Sequence, residues 1–257
     1  MIQGKKVLLT GATSGIGLVT AQMLIDHGAL PIITGRSESK LTETYKTLRG
    51  EHGSYLMDVT SDAQVTEVIA RIMTDYDGID VLINNAGYAR FETLANASIE
   101  SYAEMMETNY MGTVRCSKAL LPYMTERGSG QIVNIASLAG KLGTPKSTAY
   151  SATKHAVLGF TNALRLELAG SGVIVSAVNP GPVATPFFDT ADPDGHYVNN
   201  VRWMMMKPER VARAILRVIE RGKREVNLPF MGAAGTLLYQ LLPGLADRIA
   251  GPWLNKK

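Results

Sequence analysis

Thr10-Gly11-Ala12-Thr13-Ser14-Gly15-Ile16-Gly17, directly behind the apolar run Val7-Leu8-Leu9, decides how the rest of the chain is read. Glycines between a short strand and a helix let the backbone turn tightly and come close to an anion. The helix behind them offers free N–H groups and the positive end of its dipole. A dinucleotide pyrophosphate fits that context, with Gly11, Thr13, Ser14, Gly15, Ile16 and Gly17 around it. The spacing departs from G-x-G-x-x-G, however, and a strand-to-helix turn that binds nothing has the same composition. Taken alone, the turn leaves both readings open.

Outward from this turn, short apolar runs alternate with amphipathic stretches. Strands are expected at Pro31-Ile33, Ser54-Met57, Val81-Ile83, Ile132-Ile135 and Val173-Val178. Helices are expected from Gly17 to His27, Ser39 to Leu48, Asp62 to Thr74, Ser98 to Tyr123, Tyr150 to Leu168 and Pro208 to Glu220. Continuous apolar strands are buried on both faces, so the pattern predicts a parallel sheet with crossover helices. No linker rich in Pro, Gly or Ser divides the 257 residues, and one domain is expected. Residues 182–206 break the alternation with Pro182, Pro186, Pro193 and Gly195. They also carry Phe187, Phe188, Tyr197, Trp203, Met204, Met205 and Met206, poor material for regular structure but good cover for an apolar cavity. The stretch 187–206 is therefore expected to be a substrate lid.

Composition narrows the function. With 46% hydrophobic and 19% charged residues the chain buries a full core, and a formal charge of +3 is too small to call for a nucleic-acid partner. The single Cys116 makes no internal disulfide and four scattered histidines offer no zinc spacing, so no metal is expected and the expected compartment is a reducing cytoplasm. The opening residues contain no apolar stretch long enough for a signal peptide. No G-x-S-x-G occurs, which counts against a serine hydrolase.

At the end of the second strand an NAD site usually carries a carboxylate for the ribose hydroxyls, and here stands Arg36. A guanidinium bonds a 2'-phosphate in a forked geometry, so NADP is preferred over NAD. A solvated arginine opening the next helix is the plainer alternative. Asp58, past the third strand, can accept from an adenine amino group or act merely as a helix cap. Tyr150 and Lys154 lie four apart on a helix, hence on one face. They follow, in order, the glycine turn, Asn84-Asn85-Ala86-Gly87, Asn109 and Ser137, and they precede Pro180-Gly181.

Together these motifs resemble the short-chain dehydrogenase/reductase family over nearly all of residues 5–181: TGxxxGxG at Thr10 to Gly17, NNAG at Asn84 to Gly87, YxxxK at Tyr150 to Lys154 and PGxxxT at Pro180 to Thr185. The resemblance implies a doubly wound Rossmann sheet of about seven strands with helices on both faces. It also implies a nicotinamide cofactor and a tetrad of Asn109, Ser137, Tyr150 and Lys154. The implied cofactor contacts are Asp58, Val59, Asn85, Ala86, Gly87, Tyr150, Lys154, Pro180, Gly181, Val183 and Thr185, with Asn84 and Gly87 stabilising the nucleotide site and Thr185 approaching the carboxamide. Homodimers or homotetramers are implied, through the helices that begin at Ser98 and Tyr150.

The residue chemistry agrees. Reducing a ketone needs a proton on oxygen as well as a hydride on carbon, and Tyr150 can supply it. A lysine cation at about 4 Å is worth up to about 4 kcal/mol at an effective dielectric of 20, which predicts a phenol drawn from about 10 toward neutrality. Ser137 can hold the carbonyl oxygen, Lys154 the nicotinamide ribose, and Asn109 a relaying water. His155 points elsewhere around the helix and Cys116 sits in an apolar stretch, so neither is expected to react. The expected activity is NADP(H)-dependent interconversion of an apolar ketone or aldehyde and its alcohol. A binding protein that senses a dinucleotide without turnover is the alternative.

The C-terminal part departs from the family, where a compact closing strand is common. Residues 202–224 hold eight Lys or Arg against two Glu, and Val226 to Ala246 contain no charge. Pro229, Pro243 and three glycines argue against a straight membrane span. A strand near Val226 and then a helix with Leu237, Leu238, Leu241, Leu242 and Leu245 on one stripe are expected. Basic surface beside this apolar extension, 226–257, fits peripheral membrane contact, and equally fits a cover for the cleft or a subunit.

Overall fold

The computed structural model of the chain describes residues 2–242 and residue 244. Seven parallel strands stand in the order β3-β2-β1-β4-β5-β6-β7, namely Gly53–Leu56, Leu30–Gly35, Lys6–Thr10, Val81–Asn84, Gly130–Ile135, Val173–Pro180 and Glu225–Leu228. The order reverses between β1 and β4, and ligand crevices in such sheets open at the carboxyl ends of the strands beside that switch.

Alternation along β1 shows why two faces are buried. Val7 and Leu9 face a core shared with Leu24 of α1 (Gly15–Asp26), Leu41 of α2 (Glu38–Thr47) and Ile215 of α9 (Pro208–Arg221). Leu8, between them, faces Ile69 of α3 (Asp62–Tyr76), Leu120 of α5 (Gly112–Arg127) and Leu164 of α6 (Thr148–Glu167). Each such side chain contributes about 1.5–3 kcal/mol by leaving water. A buried polar chain ties the second layer to the sheet: Asn84 Nδ2 donates to Ser117 Oγ at 3.0 Å and Asn134 Oδ1 at 2.8 Å, and Asn134 Nδ2 donates to Thr161 Oγ1 at 2.8 Å. Asn84 therefore braces α5 and α6 against β4 and β5 rather than facing a nucleotide.

Three expectations change. The helix expected from Ser98 is α4 (Ile99–Met106), one wide π turn at Glu107–Met111, and then α5, which Gly128 ends in a left-handed conformation at φ 65°. A π turn inserts one residue and shifts the phase of the apolar positions behind it, so a single helical pattern read from Ser98 to Tyr123 passes over it. Residues 187–206 are not irregular but form short helices α7 (Phe187–Ala191) and α8 (His196–Val201) and a 3-10 turn (Arg202–Met204). Trp203 lies 81% exposed and covers nothing, while Met206 is buried and bridges to Val183. The strand near Val226 is present as β7, and α10 (Phe230–Leu241) follows it. Leu245, the tail beyond it and the side chains of Leu237 and Leu238 lie outside the described residues.

Candidate active site

A cleft of about 830 Å³ opens at the carboxyl ends of β1, β4, β5 and β6. The glycine turn builds its middle, between Gly35 on one side and Thr185 on the other. Gly11 adopts φ 64° and Gly15 φ 54°, conformations that favour glycine, and a Cβ on Gly11 would stand 2.7 Å from Ala86 Cα. Asn85 Nδ2 donates to the carbonyls of Thr10 at 3.0 Å and Gly11 at 2.9 Å, while Thr10 Oγ1 accepts from the N–H groups of Asn85 and Ala86. The β4 loop thus clamps the turn in shape. Ser14, the N-cap of α1, makes no side-chain cap bond, so the first-turn N–H groups remain available to an anion in the cleft.

Farther along the same wall lie Arg36, Ser37, Lys40, Asp58 and Val59. Arg36 is exposed at the rim. Asp58 Oδ1 accepts from Thr60 N at 2.9 Å and Thr60 Oγ1 at 2.8 Å, and Ser61 caps α3, so Asp58 shapes the loop before the helix without capping it. Lys40 was not singled out from the sequence. Its signal is the spacing of four from Arg36 across the Ser37 N-cap, which puts both cations at the start of α2.

The other end holds Ser137, Tyr150 and Lys154, with Pro180, Gly181, Val183 and Thr185 beside them. Ser137 Oγ donates to Pro180 O at 3.2 Å and accepts from Ala139 N at 3.0 Å. Lys154 is buried on the inner face of α6 and donates to Ile135 O at 2.9 Å, with Nζ 5.7 Å from the centre of the Tyr150 ring. Phe91, Phe187, Phe188, Tyr197 and Met204 complete an apolar wall. Phe187 lies 5.7 Å and Phe91 6.2 Å from Tyr150, centre to centre.

Two sequence candidates stand behind the wall instead of on it. Gly17 lets α1 approach β1: a Cβ there would collide with Gly11 O, and would lie 2.7 Å from Asn85 Nδ2 and 2.8 Å from Ala12 Cα. Asn109, in the π turn, accepts from Tyr88 N at 2.9 Å and donates to Tyr88 O at 2.9 Å and Thr153 Oγ1 at 3.0 Å. Its amide is occupied in fastening the Gly87-Tyr88 loop to α6, a positioning part. His155 is exposed and bonds Ser151 O, and Cys116 is fully buried with its thiol pushed up to about 12 by desolvation.

Electrostatics at the phenol also differ from the four-residue estimate. Burial pushes Tyr150 up to about 12, with Ser137 pulling the other way, and burial draws Lys154 down to about 8. In the protein alone, loss of water outweighs the pull of Ser137. The Lys154 value has a consequence for stability. Between about 8 and its ordinary 10.5 the unfolded chain holds a proton that the folded one releases, so stability rises with pH across that window and is lost as pH falls through 8. Urea titrations from pH 8 to 10 are expected to show wild type gaining on the order of 2–3 kcal/mol relative to Lys154→Met. Parallel curves for the two proteins would contradict the buried ammonium.

Comparison with known proteins agrees with this geometry. Residues 5–195 match the family model of short chain dehydrogenases. A putative ketoacyl reductase of Streptomyces coelicolor is 41% identical over 216 residues, covering 82% of this chain and 81% of that one. A serine dehydrogenase solved with NADP+ superposes with TM-score 0.82 at 33% identity, covering 87% and 94% of the two chains. A short chain dehydrogenase/reductase of Burkholderia phymatum in complex with NAD superposes with TM-score 0.88 at 26% identity, covering 95% of each. The glycine turn clamped by Asn85 and the Tyr150–Lys154 face of α6 thus sit in a chain whose sequence and fold match one family over residues 5–195: this protein belongs to the short chain dehydrogenases, oxidoreductases with a nucleotide-binding Rossmann-type fold.

Proposed function

We propose that the protein reduces an apolar ketone or aldehyde to its alcohol with NADPH. The observation that carries this reading is one continuous cleft that runs from a basic rim, past an anion-binding glycine turn, to Ser137, a half-buried Tyr150 and a buried Lys154 walled by aromatic rings. A reduced nicotinamide dinucleotide, when bound, supplies the hydride.

The chain's own residues do the rest. First-turn N–H groups of α1 hold phosphate, and Gly11 and Gly15 keep side chains out of its way. Arg36 and Lys40 hold the 2'-phosphate that distinguishes NADP from NAD. Ser137 orients the carbonyl oxygen, and Tyr150 delivers the proton to that oxygen as negative charge develops. A phenol held near 12 is protonated at neutral pH, the state that donates. Lys154, held by Ile135 O, presents positive charge below pH 8 and a donor for a ribose hydroxyl. Phe91, Phe187 and Phe188 exclude water and select an apolar substrate.

Fluorescence titration tests the cofactor choice. Wild type is expected to bind NADPH more tightly than NADH. Arg36→Asp is expected to weaken NADPH by about 10–100-fold, the worth of a charged hydrogen-bonded contact, while leaving NADH nearly unchanged. Equal losses for both cofactors would remove Arg36 from the 2'-phosphate.

A further inference from the structure

The β7 edge of the sheet carries two features that neither the core nor the cleft uses. Helix α9 packs Val211, Ile215, Val218 and Ile219 inward and turns Arg210, Arg213, Arg217 and Arg221 to solvent. Steps of three and four residues place those four arginines in one row about 16 Å long. None of them makes an ion pair among the described residues. Lys207 extends the row at one end and Lys223 and Arg224 at the other, all exposed. Glu209, four residues before Arg213, and Glu220, three after Arg217, border the row without forming an ion pair with it, so it stays net positive, and the carboxylate of Glu225 on β7 is taken by Lys141.

Beside the row, the same edge exposes large apolar side chains. Phe230, which opens α10 directly after β7, is 82% exposed, and Leu241 and Leu242 at its far end are 69% and 51% exposed. Trp203, four residues before Lys207, is 81% exposed. Single exposed apolar residues need no explanation, but here they flank unpaired cations and a charge-free stretch from Val226 to Ala246.

We infer that the β7 edge docks on an anionic lipid bilayer, the arginine row of α9 facing acidic headgroups and Phe230, Leu241 and Trp203 entering the interface. Attraction to headgroups and shallow apolar insertion are the two components of peripheral attachment. A second copy of the chain is the poorer occupant, because a two-fold contact through this edge sets the arginine row against its own mate. Met204, Gly232, Gly235, Thr236 and Tyr239, on the 3-10 turn and α10, also line the cleft, so docking brings the cleft mouth close to lipid.

Co-sedimentation of the full chain with vesicles tests this, and it needs neither cofactor nor substrate. Wild type is expected to pellet with vesicles of equal parts phosphatidylglycerol and phosphatidylcholine, to release at high salt, and to stay in solution with phosphatidylcholine alone. Arg213→Glu/Arg217→Glu is expected to bind at least about tenfold more weakly, and Phe230→Ser/Leu241→Ser about fivefold more weakly. Unchanged thermal melts would show that both variants fold. Wild type remaining in the supernatant with both vesicles, or binding that charge reversal leaves intact, overturns the inference. So does a charge reversal that changes the sedimentation of the protein alone, because it assigns the edge to contact between copies.

Discussion

Tyr150→Phe is expected to lower the rate of NADPH-dependent carbonyl reduction by about 10²–10⁴-fold while leaving the dissociation constant for NADPH within about twofold of wild type. The substitution removes one oxygen. Phe retains the ring that packs against Phe91 and Phe187, so the apolar wall keeps its shape. The cofactor end is built by the glycine turn, Asn85 and Arg36, and none of these rests on the phenol. Loss of turnover with retained binding therefore identifies the proton donor, whereas parallel loss of both would make Tyr150 a structural residue. Full turnover in the variant would place the proton elsewhere.

Gly17→Val is expected to abolish dinucleotide binding and to destabilise the protein by several kcal/mol. Overpacking typically costs about 1–3 kcal/mol where a core can shift. Here the colliding atoms are backbone, Gly11 O and Ala12 Cα, together with the Asn85 amide that clamps the turn. Relief of the clash moves the residues whose shape the anion site needs. Gly159→Ala is the matched control, because nothing lies within 4 Å of a Cβ at that position. It is expected to melt at or slightly above the wild-type temperature and to bind NADPH normally, since replacing helical glycine by alanine stabilises by about 1 kcal/mol. A Gly17→Val protein that still binds NADPH would show that the turn tolerates a displaced α1.

The alternation of apolar runs with amphipathic stretches was enough to read the parallel sheet, because strands covered on both faces leave no polar side to show. Strand ends were legible to within two residues, and the cleft wall around Gly11, Asn85, Tyr150 and Pro180 followed from motif order. Three kinds of feature were not legible. The helices α7 and α8 are five and six residues long; buried Phe188 and Ala191 anchor α7, and Asp192 Oδ2 accepts from Val198 N at 2.8 Å in the first turn of α8, contacts that apolar spacing does not encode. The part played by Asn109 depends on bonds to Tyr88 and Thr153, which only the folded chain brings together. The acidity of Tyr150 depends on how much water the fold removes, and a spacing of four residues from a lysine gives the attraction without the desolvation.

The most direct measurement follows the hydride itself. Protein incubated with an apolar ketone and NADPH deuterated at both C4 positions is expected to give an alcohol with one deuterium on the carbinol carbon, and unlabelled NADPH in heavy water is expected to give none there. Carbinol carbon labelled from solvent, or no alcohol formed from a panel of apolar ketones and aldehydes while NADPH binds in the cleft, would contradict hydride transfer to a carbonyl.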